Sequence, residues 1–137
     1  MAHSVRELGN YLLIMSRTQL LLSLRSEIPL DAARSSLEIE QFQNACLRPI
    51  LKFQNDALLQ FFKLHLSPTG LPLLKKELED FIKLRLQKDA ILRNTMIGMV
   101  LALMSVEELS FYMSHKNELS KRIITILVQR LTGQLIS

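Results

Sequence analysis

The chain has 137 residues, of which 48% are apolar and 22% are charged, and its formal net charge is +4. This length suits one domain that can bury an ample core, and the single cysteine excludes an intramolecular disulfide and favours a reducing compartment. Seven basic residues accompany six acidic ones in 1–68, and ten accompany seven in 69–137, so no basic tail or stripe favours nucleic acid as a partner. We therefore predict a single domain over 1–137 and a cytoplasmic location.

Apolar residues recur at the period of an α-helix through most of the chain. The longest such row has spacings of three and four residues and consists of Ile39, Phe42, Cys46, Ile50, Phe53, Ala57, Phe61 and Leu64. The longest uninterrupted apolar run, 96–104, has nine residues, under half of the ~20 that a membrane-crossing helix needs. We predict an all-α fold, a single-domain compact bundle of five or six helices, with no membrane association.

Three helix starts are predicted from capping boxes, in which a serine accepts from a backbone N–H and a glutamate three residues later reaches back. The pairs are Ser4 with Glu7, Ser35 with Glu38, and Ser105 with Glu108. The first helix is predicted over 4–25, where the sequence is compatible with a break near 16–18. The second is predicted over 36–66. Pro49 lies inside it, and we expect a kink there rather than a stop, because the apolar row keeps its phase across the proline.

The third helix is predicted over 71–87, because Pro72 is tolerated in a first helical turn. Its expected buried residues are Leu74, Leu78, Phe81 and Ile82. The fourth helix is predicted over 89–104. Three small residues share one of its faces, namely Thr95, Gly98 and Ala102. Small side chains let another backbone approach closely, so we expect this helix to be the central one.

The last part of the chain is predicted to be helical over 106–133, with a break near 114–117 that divides it in two. Glycine is common just after a helix, so Gly133 is the expected end. The residues expected to face inward are Leu119, Ile123, Ile126, Leu127 and Leu131.

Metal, haem and catalytic motifs are missing from the sequence. His3, His65 and His115 lie far apart, and no Glu-x-x-His pair of the kind found in di-iron bundles occurs. Methionine at helical spacing is typical of a core rather than of haem ligation. Cys46 lies on the apolar row with no histidine at helical distance, which favours a buried small hydrophobe over a nucleophile. We predict no metal, no cofactor and no catalytic residue.

A polar cluster on the second and fourth helices has two interpretations. Its members are Arg48, Lys52, Gln54, Asn55, Arg93 and Asn94. One interpretation is a solvated face with buried polar ties that fix helix register. The other is a ligand-binding or partner-contact site, in which Arg48 and Arg93 converge on an anionic group or a partner's carboxylate.

The segment Leu47–Asp56, with the pattern LRPILK-x-QND, resembles the signature of a family of small uncharacterised all-helical bacterial proteins. Gln87–Asn94 with Ile97–Met99, and Ser105–Leu109 with Leu119–Arg122, are similar to later segments of the same family. Some of its members carry the name glyoxalase. The sequence contains neither the metal-binding His and Glu on strands nor the His-rich motif that glyoxalases use.

Two functions from different classes are compatible with these features. The first is a non-enzymatic, self-associating or protein-interaction bundle, because the apolar surface of the first two helices is wider than one core requires. The second is a small-molecule-binding or enzymatic site that uses the polar Arg/Asn cluster between the second and fourth helices.

Overall fold

The structure, a computed structural model, describes residues 16–25, 38–66, 70–72 and 74–136. In these ranges the regular structure consists of helices: α1 (Arg17–Ser23), α2 (Glu38–Phe42), a π-helical segment (Gln43–Leu47), α3 (Arg48–Phe53), α4 (Asn55–Leu66), α5 (Lys75–Lys88), α6 (Ala90–Leu101), α7 (Val106–Ser114) and α8 (Lys116–Leu135). The predicted all-α class is confirmed. Because α2, the π segment and α3 are continuous, the described residues form seven helices rather than five or six.

The π-helical segment lies directly before Pro49. The backbone N–H of Arg48 donates to the carbonyl of Gln43, five residues earlier. A proline ring inside an α-helix would clash with the carbonyl four residues before it, here that of Ala45. The wider π turn accommodates the ring, and the chain stays helical through Pro49 as predicted.

The extra residue of the π turn changes which side of the following helix faces the core. A second irregularity follows at Gln54, where ψ is 3° and α3 ends. Phe53 and Leu64, both predicted to be part of the buried row, are 49% and 65% exposed. The buried residues of α3 and α4 are instead Pro49, Ile50, Leu51, Leu58, Phe62 and Leu66. Ala57 is exposed as well, whereas Phe61 packs against the core. The predicted row is therefore wrong at three of its four positions beyond Ile50, because the π turn and the break at Gln54 rotate the apolar face.

The centre of the described fold is α8, which packs against α5, α6, α7 and the π segment. Its buried residues are Leu119, Ile123, Ile126, Leu127, Val128, Leu131 and Thr132, which include all five that were predicted to face inward. The prediction that 89–104 is the central helix is wrong. The small face of α6 is exposed, and α6 buries Leu92, Met96 and Val100.

Several predicted helix ends are confirmed. Ser105 and Glu108 form both bonds of a capping box at the start of α7, and the break after α7 lies at His115. A capping box of Ser16 with Gln19 starts α1, at the position of the suspected break. The pair Ser4 and Glu7, and also Ser35, lie outside the described residues.

Two other predicted ends are wrong. Leu74 is extended and 64% exposed, and α5 begins at Lys75, so Pro72 precedes the helix instead of lying in its first turn. Gly133 lies inside α8, which continues to Leu135. Glycine ends a helix by adopting a left-handed conformation, and Gly133 stays helical here. Over the described ranges, none of the helices combines the length and apolar character that crossing a membrane requires.

Candidate functional site

A cleft of about 820 Å³ lies between α5, α6, α7 and α8. Its lining residues come from these four helices: Glu79, Lys83, Leu86 and Gln87; Arg93, Asn94, Ile97, Gly98 and Leu101; Tyr112 and Met113; Lys116, Ser120, Lys121, Ile124, Thr125, Val128 and Gln129. This volume lies in the range of about 300–1,000 Å³ that is usual for ligand sites.

The floor of the cleft is apolar. Leu86, Tyr112 and Val128 are buried beneath it, and the half-buried Ile97 and Ile124 form its sides. The Tyr112 hydroxyl shares a short hydrogen bond with Ser120 Oγ, so this buried polar group is satisfied within the wall. A floor of this composition favours an occupant with apolar groups.

The shape of the cleft is that of an open trough. The α8 wall runs from Lys116 to Gln129, which at 1.5 Å per residue is about 20 Å. Much of the rim is exposed to solvent, including Asn94, Gly98 and Thr125. An occupant can therefore lie along the surface between the helices without being enclosed.

The charge of the rim is mainly positive. Among the described residues, Lys83, Arg93, Lys116 and Lys121 line the cleft together with a single acidic residue, Glu79. The three lysines are exposed at the rim. A cleft with cationic edges and an apolar floor attracts groups that are both anionic and apolar.

Arg93 closes one end of the cleft. Its Nη1 donates to the carbonyl oxygens of Leu86, at 3.2 Å, and of Gln87, at 2.9 Å. These carbonyls belong to the last turn of α5, where a cation is favourable for the helix dipole. The guanidinium therefore joins the C-terminal end of α5 to the N-terminal end of α6.

Asp89 stabilises the same junction between α5 and α6 as the N-cap residue of α6. Its Oδ1 accepts from the backbone N–H of Leu92 at 3.0 Å, and its Oδ2 lies 2.7 Å from His65 Nε2. The hydrogen bond from Leu92 and then that from His65 lower the pKa of Asp89. His65, near the end of α4, thus pairs with the N-cap residue of α6.

The structure divides the six residues of the predicted polar cluster. Arg93 and Asn94 line the cleft, whereas Arg48 donates to Asn44 Oδ1 at 3.3 Å and Lys52 is exposed on α3. Gln54 donates to the carbonyl of Met99 at 3.0 Å. The Arg48 contact lies within the continuous helix α2–α3, and the Gln54 contact joins the end of α3 to α6. Both lie outside the cleft.

Asn55, the remaining member of the cluster, ties α4 to the end of α8. Its Nδ2 donates to Gln134 Oε1 at 2.7 Å, and its Oδ1 accepts from Gln134 Nε2 and from the Arg130 guanidinium. This is a polar tie between helices, as one interpretation of the cluster predicted, but it is half-buried at Asn55 and exposed at Gln134.

No motif in the sequence indicated the cleft residues on α5, α7 and α8, among them Lys83, Tyr112 and Lys121. A sequence signal is present in Asn94, Gly98 and Leu101, which place polar, small and apolar side chains on one helical face.

A second polar cluster lies apart from the cleft and is buried. Arg25 Nη1 donates to Glu108 Oε2 at 2.6 Å, and Nη2 bonds Oε1, with side-chain exposures of 9% and 19%. Burial acts to raise the pKa of Glu108, but hydrogen bonds from Arg25, from the Ser105 backbone and from Cys46 lower it to about 2. The hydrogen bond with Glu108 in turn raises the pKa of Arg25.

Arg25 and Arg17 also attach the α1 region to the end of α6. Arg25 Nη2 donates to the carbonyl of Leu103 at 3.2 Å, and Arg17 donates to those of Met104 and Ala102 at 2.9 and 3.0 Å. These carbonyls follow the last turn of α6 and would otherwise lack partners. The attachment is therefore mainly polar, although Leu21 of α1 is buried.

Cys46 is buried, as expected, and is 1% exposed. Burial and then the negative charge of Glu108 raise the pKa of its thiol well above the usual range. The thiol stays protonated near neutral pH, which is unfavourable for nucleophilic chemistry. Within the described part of the chain, no three His, Cys, Asp or Glu side chains come together as a metal site would require.

Comparison of the chain with protein-family models, with curated proteins and with solved structures finds no match. The resemblance of Leu47–Asp56 to a family of helical bacterial proteins stays a prediction. The function is therefore proposed from the geometry of the cleft.

Proposed function

We propose that the protein is a non-enzymatic interaction module whose cleft between α5, α6, α7 and α8 holds an amphipathic helix of a partner protein. The observation that carries this proposal is the cleft itself, an open trough with an apolar floor and polar edges. This is the arrangement by which proteins bind one face of a helix in a groove.

The dimensions support a helical occupant. A wall of about 20 Å matches a helix of about 14 residues, or four turns. Its apolar residues at positions i, i+4, i+7 and i+11 would lie over the floor around Ile97, Ile124 and Val128. The exposed edges would contact the flanking polar residues of the same helix.

Gly98 allows this proposal to be tested without damage to the fold. It is exposed in the wall of the cleft, and a Cβ built on it would meet no atom within 4 Å. A large side chain at this position would enter the cleft instead of the core. Gly133 is the matched control, because it is also helical, exposed and free of close neighbours but does not line the cleft.

The experiment measures fluorescence anisotropy of a labelled peptide of about 14 residues with leucines at the four apolar positions and glutamines elsewhere. We expect binding to the native protein, no binding of a scrambled peptide of the same composition, and a loss of about tenfold or more with Gly98→Trp but not with Gly133→Trp. Equal binding to the two variants, or no binding to the native protein, would refute the proposal.

Self-association is the second candidate, and the exposure of large apolar residues favours it. Ile91 is 74% exposed, and Leu64 and Met113 are also mostly exposed. Two copies that paired cleft to cleft would, however, bring their cationic rims together, which is unfavourable. Sedimentation of the native protein and of Gly98→Trp distinguishes the two, because a dimer that Gly98→Trp dissociates would identify a second copy as the occupant.

A small-molecule site on the predicted polar cluster has less support. It requires Arg48 and Asn55 to act together with Arg93 and Asn94. Arg48 and Asn55 make their hydrogen bonds to residues outside the cleft, whereas Arg93 and Asn94 line it.

A further inference from the structure

We infer that the partner's helix is acidic, with Glu or Asp residues flanking its apolar stripe. The inference rests on the proposed function and adds the chemistry of the partner. It is drawn from the rim of the cleft, where the described part of the chain places four cationic side chains and one carboxylate.

The cations of the rim are not neutralised by the protein's own acids. The ion pairs among the described residues are Arg25–Glu108, His65–Asp89, Lys76–Asp80, Arg85–Asp89 and Arg122–Glu118. In that part of the chain, Lys83, Lys116 and Lys121 take part in none of them. Described cations outside the cleft, such as Lys52, Lys63 and Lys88, also form none of these ion pairs. The cleft differs from the rest of the described surface because its four cations line one apolar trough together.

These cations come from three helices that surround the floor. Lys83 lies on α5, Arg93 on α6, and Lys116 and Lys121 on α8. An anionic side chain on either flank of a bound helix would therefore meet a cation. Arg93 Nη1 is occupied by two carbonyls of α5, which fixes the guanidinium at the cleft edge.

The single carboxylate of the rim restricts where the partner's acids can lie. Glu79 lies two helical turns before Gln87, about 12 Å away along α5. Since Gln87 accepts from Arg93, Glu79 is at the opposite end of the α5 wall from the Arg93 guanidinium. The acidic residues of the partner are therefore expected toward the Arg93 end.

The apolar floor favours a peptide over other anionic macromolecules. Nucleic acid binds basic surfaces through its phosphates and releases counterions, and it gains little from a trough lined by Leu86, Ile97 and Val128. An amphipathic helix uses both the floor and the rim. Duplex DNA and anionic lipid vesicles are therefore competitors in the test.

The test compares three peptides of about 14 residues that share the same leucines and carry glutamate, glutamine or lysine at the flanking positions. Exposed ion pairs each contribute little, so three or four together correspond to about tenfold in Kd. We expect the glutamate peptide to bind about tenfold more tightly than the glutamine peptide, and the lysine peptide to bind least. The difference should shrink between about 0.1 M and 1 M salt, as the screening length falls from about 10 Å to about 3 Å.

The variant Lys116→Glu/Lys121→Glu should remove or reverse the preference for the glutamate peptide. The control is Lys63→Glu/Lys75→Glu, which makes the same change in net charge at exposed positions outside the cleft and should keep the preference. Circular dichroism checks that both variants remain helical.

The outcomes separate the two proposals. The glutamine peptide could bind as tightly as the glutamate peptide, with Gly98→Trp weakening the binding of both. That result would refute the acidic partner and leave the proposed groove function standing. If no peptide binds, both fail. If duplex DNA or anionic vesicles bind more tightly than the glutamate peptide and displace it, the acidic helix is not the partner.

Discussion

The ion pair of Arg25 with Glu108 gives the strongest prediction about stability. Glu108→Gln removes the charge of the carboxylate but keeps a side chain that can accept at the start of α7, since glutamine also serves in capping boxes. The Arg25 guanidinium is then left with 9% of its side chain exposed and without its counter-charge. The substitution thus isolates the effect of the charge.

The expected loss can be worked out from the pKa of Glu108. This pKa is lowered from about 4.5 to about 2, and each pKa unit corresponds to about 1.4 kcal/mol. The free energy of unfolding at pH 7 should therefore fall by about 3 kcal/mol. Breaking a buried pair by removal of one partner costs about 3–5 kcal/mol in other proteins, which agrees with this value.

The assay is urea unfolding followed by circular dichroism, with Glu107→Gln as the control because Glu107 is exposed in the same helical turn. The control should change stability by less than about 0.5 kcal/mol. Because the folded pKa of Glu108 lies below its unfolded value, the contribution is complete above about pH 4.5 and is lost as the pH falls toward 2. The difference between native protein and Glu108→Gln should shrink over that interval. A loss at pH 7 no larger than that of Glu107→Gln would refute the reasoning.

Three further predictions concern single side chains. Gly98→Ala should raise the free energy of unfolding by about 0.5–1 kcal/mol in urea unfolding, because alanine is the better helix former and its Cβ meets no neighbour; destabilisation would contradict the open environment of Gly98. The Cys46 thiol should react with a chromogenic disulfide reagent only after unfolding, since it is buried and its pKa is raised, and rapid reaction of the native protein would contradict this. Tyr112→Phe should lower the free energy of unfolding by about 1 kcal/mol, because the hydrogen bond to Ser120 is lost. An unchanged midpoint in urea unfolding would show that this bond contributes nothing to stability.

Predictions from local spacing were the most successful. The capping box of Ser105 and Glu108, the break at His115 and the inward face of α8 all follow from interactions between residues three or four apart. The burial of Cys46 belongs to the same group. The partners in such interactions are close in the sequence, so the sequence is enough to predict them.

Some failed predictions depended on irregular turns elsewhere in the helix or on packing, whereas those at Pro72 and Gly133 failed although they rested on local signals. Pro49 pointed to an irregularity, but the π turn that precedes it and the break at Gln54 rotate the following apolar face, which leaves Phe53 and Leu64 exposed. Gly98 was expected against another backbone and instead lines an open cleft. A periodic pattern gives the face of a helix only while the turn stays regular.

The all-α class, the start of α7, the break at His115 and the apolar face of α8 were determined by the sequence itself, because they depend on neighbours within one helical turn. The tertiary structure decided that Arg93 would close a cleft with α5, that Asn55 would bind the end of α8, and that Arg25 would reach Glu108. These partners are separated by 6 to 83 positions in the chain, and only the packing of the helices brings the more distant ones together.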